Sequence, residues 1–143
     1  MSRVKVKWVE NRQFVGLDST QHSLVMSPAS EGTGLKPSDL LLVGLGGCTA
    51  VDVVGILEKQ HQPVTGLEIY VEGKQDADPP WTFREIHIEY VLRGRGLSEK
   101  AVARAIELSE QKYCSVGATL RHGVQITHSH KIIKEEETSE PVA

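Results

Sequence analysis

PSDLLLVGLGGCTAVDVVGILEK, residues 37–59, decides the fold, and it predicts one long helix. Pro37 suits the first helical position, because its missing N–H would have no partner there in any helix. Ser38 and Asp39 follow in the first turn, where oxygen acceptors and negative charge stabilise the free amide groups. Positions 40–51 carry no charge. A helix that is apolar on nearly every side has to be covered on nearly every side.

Three glycines, Gly44, Gly46 and Gly47, lie within this helix immediately before Cys48. Each glycine disfavours the helix by about 1 kcal/mol relative to alanine. Their clustering therefore indicates that another backbone packs closely against this part of the helix. A thiol next to such a close approach is the most informative point of the sequence.

Two alternatives stay open on this segment alone. It could span a membrane, since residues 40–57 reach the roughly 17 residues that a bilayer crossing needs. It could also be a core helix with an inert cysteine, because free cysteines are among the most often buried residues. Asp52 argues against a lipid environment, where a lone carboxylate is costly. We expect Asp52 to meet a polar partner or to lie at a rim, and we expect no membrane association.

Length, composition and charge limit the class of protein. A chain of 143 residues fits one domain, here residues 1–134, followed by an acidic tail at 135–143 that we expect to be disordered. The net charge of −3 gives no basic face for nucleic acid. No signal peptide is predicted, so we expect a cytoplasmic protein. Two cysteines in such a chain are more often free, catalytic or redox-active than a structural disulfide.

The remaining segments alternate between strand-like and helical patterns. Strands are predicted at 4–10, 13–17, 22–26, 66–74, 81–93 and 124–133, and further helices at 99–112 and 113–120. The first strand has the alternation of a half-buried strand, and the first three strands form an antiparallel meander. Ser98 is the predicted N-cap of the helix at 99–112. The order βββ–α–ββ–αα–β is an α+β pattern.

Two other motifs do not support a function. GLGGC, residues 44–48, lacks the G-x-G-x-x-G spacing and a preceding strand, so it does not indicate nucleotide binding. His128 and His130 share one face of the last strand. A metal site needs at least one more ligand and supporting contacts. We therefore predict two solvated histidines, no metal and no cofactor.

The two cysteines lie in segments of small residues that resemble a known family. Residues 34–54, GLKPSDLLLVGLGGCTAVDVV, resemble the first cysteine motif of the OsmC/Ohr family, the osmotically induced protein C and organic hydroperoxide resistance proteins. Residues 110–116, EQKYCSV, resemble its second cysteine motif. The opening at 4–10 and ITHS at 126–129 resemble the OsmC-like (YhfA-like) branch. The resemblance covers nearly the whole chain apart from the acidic tail.

The resemblance implies both a fold and a chemistry. The fold is α+β and OsmC/Ohr-like, with antiparallel sheets around long central helices and two chains intertwined in a homodimer. The chemistry is thiol-dependent reduction of small organic hydroperoxides. Cys48, as the thiolate, attacks the O–O bond and becomes a sulfenic acid. Cys114 then condenses with it to a disulfide, which prevents further oxidation until an external dithiol reductant regenerates both thiols.

The sequence departs from the peroxidases of the family around the first cysteine. Those members carry a Glu ten residues before it, together with an Arg from the N-terminal strands. The corresponding position here is Ser38, and Asp39 is displaced by about 100° around the helix. Arg12 is the nearest candidate for the arginine, and Arg3 is the next.

Two hypotheses follow from these observations. The first is a hydroperoxide reductase that uses Cys48 and Cys114, with Asp39, Ser38 or Arg12 as activating or accessory residues. The second is a non-catalytic or redox-sensing OsmC-like protein that binds a small hydrophobic ligand in the dimer cleft. The retained thiol pair favours the first hypothesis, and Ser38 in place of Glu favours the second.

Overall fold

The computed structural model describes residues 1–135 and confirms the predicted α+β order. The elements are β1 (Lys5–Glu10), β2 (Gln13–Leu17), β3 (Ser23–Met26), α1 (Pro37–Lys59), β4 (Val64–Gln75), β5 (Phe83–Gly94), α2 (Glu99–Leu108), a π-helical turn (Ser109–Tyr113), α3 (Ser115–Leu120) and β6 (Gln125–Lys134). The predicted disordered tail lies, except for Glu135, outside the described residues. The chain divides into two compact units within α1, one ending at Val43 and the other beginning at Gly44.

The first unit contains the antiparallel sheet β1–β2–β3, in the meander order that the sequence predicts. β1 is exposed along its whole length, and β2 is half-buried throughout. Val6 and Trp8 of β1 are 62% and 65% exposed. The expectation of a half-buried β1 is therefore wrong for the single chain, because the apolar residues of its alternating pattern are not covered within this unit.

The second unit contains the sheet β4–β5–β6, which is mixed. β4 pairs antiparallel with β5, as expected, whereas β6 pairs parallel with β5. Parallel neighbours need a crossover connection of a dozen or more residues. α2, the π-helical turn and α3 provide that connection between β5 and β6. The expectation of antiparallel sheets thus holds for β4 and β5 but not for β6.

The core of the second unit is built from α1, β5 and α2. Its buried aliphatic and aromatic residues are Leu45, Val53 and Leu57 of α1, Ile86, Ile88, Tyr90 and Leu92 of β5, and Val102, Ala105 and Ile106 of α2. The helix α2 begins at its predicted cap, where the Ser98 hydroxyl accepts the N–H of Ala101 at 3.2 Å. These elements hold the segment of α1 that carries Cys48.

The glycines of α1 face different surroundings. A Cβ at Gly46 would lie 3.1 Å from Cγ2 of Val71, so α1 packs closely on β4 at this point. A Cβ at Gly44 or Gly47 would meet nothing within 4 Å. The close approach at Gly46 is therefore made by side chains of β4 and not by the backbone that the sequence predicted, and within the described residues none is found at Gly44 or Gly47.

α1 is not covered on every side by its own chain. Val43 and Val51 are 55% and 75% exposed. By length and composition alone α1 could cross a membrane, a property that core helices of soluble proteins share. Within the described residues, these apolar side chains of α1 are exposed, as are those of β1.

Candidate functional site

The structure brings the two cysteines together. Cys48 lies on α1 and is half-buried, whereas Cys114 follows the π-helical turn and is buried. Both are free thiols, and Cys48 lies close enough to Cys114 to raise the pKa of its thiol. The site is therefore a thiol pair with one accessible and one enclosed member.

The π-helical turn determines where Cys114 stands. The sequence predicted a helix to about Lys112, but α2 ends at Leu108 and the chain continues as the wider turn. The turn closes when the N–H of Cys114 donates to the carbonyl oxygen of Ser109 at 2.8 Å. Cys114 itself is extended, with φ −78° and ψ 102°, and it is the N-cap of α3, which begins at Ser115 and not at the predicted 113. π-Helical turns occur often at functional sites.

A glycine leaves room for the Cys114 sulfur. The N–H of Gly117 donates to Sγ of Cys114 at 3.3 Å. A Cβ at Gly117 would lie 3.4 Å from that sulfur and 3.5 Å from Cδ1 of Leu45. A larger side chain here would press on both the Cys114 thiol and α1.

The surroundings of Cys114 hold it in the protonated state. Burial raises the pKa of its thiol to about 11, and the neighbouring Cys48 thiol adds to the rise. The Gly117 N–H lowers this pKa, while the charges of Cys48 and Asp52 raise it slightly further. At neutral pH Cys114 is therefore a neutral thiol beside Cys48.

Asp52 has the polar partner that its place in an apolar helix predicts. The hydroxyl of Ser109 donates to Oδ2 of Asp52 at 2.9 Å. Ser109 is fully buried and Asp52 is half-buried. The carboxylate lies one turn after Cys48 on α1, so both side chains are on the face that meets the π-helical turn. This partner belongs to the same chain.

A second polar cluster surrounds Glu110 of the π-helical turn, whose side chain is 11% exposed. Nδ1 of His128 lies 2.7 Å from Oε2 of Glu110, and the Tyr90 hydroxyl donates to Oε1 at 3.3 Å. Nη1 of Arg121 donates to the backbone carbonyl of Glu110 at 2.7 Å. Burial is the main reason why the pKa of Tyr90 is raised. These contacts connect the turn to β5, β6 and α3.

The prediction of two solvated histidines on β6 holds for His128, which is exposed, but not for His130, which is half-buried. His128 pairs with Glu110, and His130 pairs with Glu99. Each carboxylate comes from a segment packed beside the strand, which sequence spacing alone does not reveal. Within residues 1–135 there is no group of three or more His, Cys, Asp or Glu side chains that could hold a metal ion.

The predicted activating residues belong to the first unit. Ser38 is half-buried, and Asp39 is exposed with its carboxylate 3.8 Å from Nζ of Lys36. Arg12 and Arg3 are exposed. The thiols belong to the second unit, so the role of these residues toward Cys48 stays a prediction.

Four residues around the thiol pair were not predicted as site residues from the sequence: Ser109, Glu110, Tyr90 and Arg121. Glu110 lies inside the second cysteine motif, four positions before Cys114, and that spacing was an available signal. Ser109 and Tyr90 had none, because a serine at the end of a helix and a tyrosine in a strand are common.

Comparison with known proteins gives a consistent result. The sequence model of the OsmC-like protein family matches residues 30–129. Protein YhfA of Escherichia coli K12 is 37% identical over 92% of this chain and 98% of its own length. The crystal structure of a hypothetical protein from Aquifex aeolicus is 32% identical and superposes with a TM-score of 0.85, covering 95% of this chain and 98% of that one.

The fold extends to more distant proteins. The organic hydroperoxide resistance protein OhrB of Bacillus subtilis is 15% identical and superposes with a TM-score of 0.60. The match covers 92% of this chain and 98% of that protein. At this level of identity the likeness establishes a shared fold.

Proposed function

Because this chain belongs to the OsmC-like protein family, we propose that it is a thiol-dependent peroxidase that reduces organic hydroperoxides through Cys48 and Cys114. One observation carries the proposal: the half-buried thiol of Cys48 lies beside the buried, protonated thiol of Cys114 and raises its pKa. Two inert core cysteines have no reason to be paired in this way. The name of the fold neighbour OhrB, an organic hydroperoxide resistance protein, agrees with the proposed substrate class.

Exposure and charge assign different roles to the two thiols. A peroxidatic cysteine has to meet the hydroperoxide and to react as the thiolate. Cys48 is the more accessible thiol. Cys114 is enclosed, and its pKa of about 11 keeps it protonated at neutral pH. Cys48 is therefore the attacking thiol, and Cys114 is the resolving thiol.

The reaction proceeds in three steps. The Cys48 thiolate attacks the hydroperoxide and the O–O bond breaks. The alkoxide leaves and takes one proton to become the alcohol, and Cys48 becomes a sulfenic acid. The Cys114 thiol attacks the oxidised sulfur, a disulfide forms, and the sulfenic oxygen leaves as water. An external dithiol then reduces the disulfide by thiol–disulfide exchange and is itself oxidised.

We also propose that the protein is a homodimer. α1 exposes Val43, Val51 and two glycines, and β1 exposes Val6 and Trp8. Large exposed apolar surfaces on a folded chain are typical of interaction sites. The small residues of α1 would let a second helix approach closely. Obligate interfaces of this kind bury more than about 2,000 Å² in total.

A second candidate function has one observation in its favour. Ser38 occupies the position of the acidic residue that activates the thiol in peroxidase relatives, and a serine cannot hold an arginine as a carboxylate does. A redox-sensing or non-catalytic protein that binds a small hydrophobic ligand in the dimer cleft would not need that residue.

Peroxide consumption by the purified protein tests the proposed function. Wild-type protein should consume cumene hydroperoxide continuously in the presence of dithiothreitol. Without dithiothreitol, Cys114→Ser should consume about one equivalent and accumulate a sulfenic acid that dimedone traps, whereas Cys48→Ser should be inert. The reverse pattern by mass spectrometry would overturn the assignment of roles. No consumption by the wild type would support the second candidate.

A further inference from the structure

Two side chains of α1 meet the two ends of the π-helical turn. Cys48 and Asp52 are four positions apart, which places them on one face of the helix. Cys48 lies beside Cys114 just after the turn, and Asp52 accepts from Ser109, the first residue of the turn, at 2.9 Å. The thiol contact is thus one of two parallel contacts between the same pair of segments.

Ser109 connects the second contact to the resolving cysteine. Its hydroxyl donates to Asp52, and its carbonyl oxygen accepts the N–H of Cys114 at 2.8 Å. Ser109 is fully buried, so its hydroxyl has no water to replace Asp52 as a partner. A single residue therefore links a carboxylate of α1 to the backbone of Cys114.

A carboxylate is an expensive way to join two packed segments. Asp52 stands between Val51 and Val53 in a helix whose residues 40–51 carry no charge. An apolar side chain would pack there without the desolvation cost of a carboxylate. An apolar contact, however, is not directional. A hydrogen bond fixes the register between two segments, and an apolar contact does not.

We propose that Asp52 and Ser109 are positioning residues, which hold Cys114 within reach of Cys48 for disulfide formation. The inference rests on the proposed function. After Cys48 has become a sulfenic acid, the sulfur of Cys114 has to reach it before a second hydroperoxide does. If it arrives late, the second hydroperoxide oxidises the sulfenic acid to the sulfinic acid and leaves as an alcohol. Misplacement of reacting groups by about 1 Å can slow such a step by about 100-fold.

The stability of the disulfide in glutathione redox buffers tests this proposal without any peroxide. In this reaction the two thiols and one glutathione disulfide give the protein disulfide and two glutathione thiols. Ser109→Ala and Asp52→Ala should each lower the equilibrium constant by about tenfold, which is the order of effect expected from losing one hydrogen bond to a charged group. Because both act through one hydrogen bond, the double variant should lose no more than the worse single variant.

Two further variants distinguish loss of the hydrogen bond from loss of the charge and from a general loss of stability. Asp52→Asn keeps an oxygen that accepts from Ser109, so its disulfide equilibrium should stay close to that of the wild type. Glu58→Gln removes an exposed carboxylate from the same helix and should change nothing. Ser109→Ala removes one oxygen atom and adds no bulk, so it retains the test if Asp52→Ala fails to fold.

A peroxide experiment gives the second readout. With limiting dithiol, Ser109→Ala should accumulate sulfinic acid on Cys48 faster than the wild type, as measured by mass spectrometry. Wild-type equilibria in both folded alanine variants, or additive losses in the double variant, would overturn the proposal. Absence of peroxide consumption by the wild type would instead refute the proposed function, since the redox-buffer result does not depend on it.

Discussion

In the first unit, β1 exposes Val6 and Trp8 at 62% and 65%, whereas in the second unit Ile86 and Ile88 of β5 are 1% and 0% exposed. Both strands alternate apolar and polar residues, so their sequences predict similar burial. The burial differs because the second unit contains helices whose apolar faces cover its sheet, whereas the first unit is mostly sheet. A period-two pattern therefore identifies the face that needs to be buried, but it does not identify the chain that buries it.

The largest expected effect on stability is in the second unit, whose sheet is covered by helices. Leu57 is fully buried in α1, and Leu57→Ala should lower the free energy of unfolding by about 2–5 kcal/mol. Val6→Ala removes a smaller apolar group from the exposed β1 and should cost less than about 1 kcal/mol in dilute protein. Denaturant titration measures both losses. Similar losses in the two variants would contradict the comparison, and a concentration-dependent loss for Val6→Ala would indicate cover by a second copy.

The effect of Gly47→Ala should have opposite signs in the single chain and in the dimer, and this tests the exposed face of α1. In the single chain, Gly47→Ala meets nothing within 4 Å and should stabilise the helix by about 1 kcal/mol. If a second helix packs there, as we propose, the same change should weaken the dimer by about tenfold, which corresponds to 1.4 kcal/mol.

Light scattering across a dilution series distinguishes these outcomes. The matched variant Gly46→Ala should leave the association unchanged, because its methyl group presses on Val71 within the chain. A folded wild-type monomer at micromolar concentration would contradict the proposed obligate dimer.

A smaller effect is expected in the second unit, in the pH dependence of its stability. The pKa of Cys114 is raised from 9.0 to about 11 in the folded protein. Between these values the unfolded chain loses the proton that the folded chain keeps, so the stability present below pH 9 should fall as the pH rises toward 11. Tyr90 acts in the same direction, because its pKa is also raised. Urea titrations at pH 8 to 11 should show a shallower decline in Cys114→Ala, and an unchanged slope would show that the thiol is not held neutral.

The smallest change in stability is expected for a substitution in the first unit. Asp39 is exposed and pairs with Lys36 at 3.8 Å, so Asp39→Asn should alter the free energy of unfolding by less than about 1 kcal/mol. If Asp39 helps to activate Cys48, as the sequence predicts, the same variant should react more slowly with iodoacetamide at Cys48. An unchanged alkylation rate would remove Asp39 from the list of activating residues.

The sequence was sufficient for the elements whose signals are local. α1 begins at Pro37 and ends at Lys59 as predicted, because a helix-starting proline and a long uncharged run both lie within it. Ser98 caps α2 for the same reason. The parallel pairing of β6 depends instead on the path of three intervening segments, and no local pattern in the strand encodes that direction.

The candidate site was predicted only in part, for a related reason. Cys48 and Cys114 stood out by residue type and motif, and Asp52 stood out as a charge among valines. Its partner Ser109 did not, because a hydroxyl becomes informative only when a distant segment is brought to it. The π-helical turn was missed because the sequence SEQKY at 109–113 is equally compatible with an ordinary helix.

The π-helical turn distinguishes two kinds of genetic change. Its closing bond spans five residues, from the N–H of Cys114 to the carbonyl of Ser109, whereas an ordinary helical turn spans four. Exposed positions within it, such as Gln111 and Lys112, can be exchanged without altering this span. An in-frame deletion of one codon would restore the four-residue span and rotate Cys114 by about 100° away from its partner. Between codons 109 and 114, therefore, the length of the coding sequence is under stricter constraint than its content.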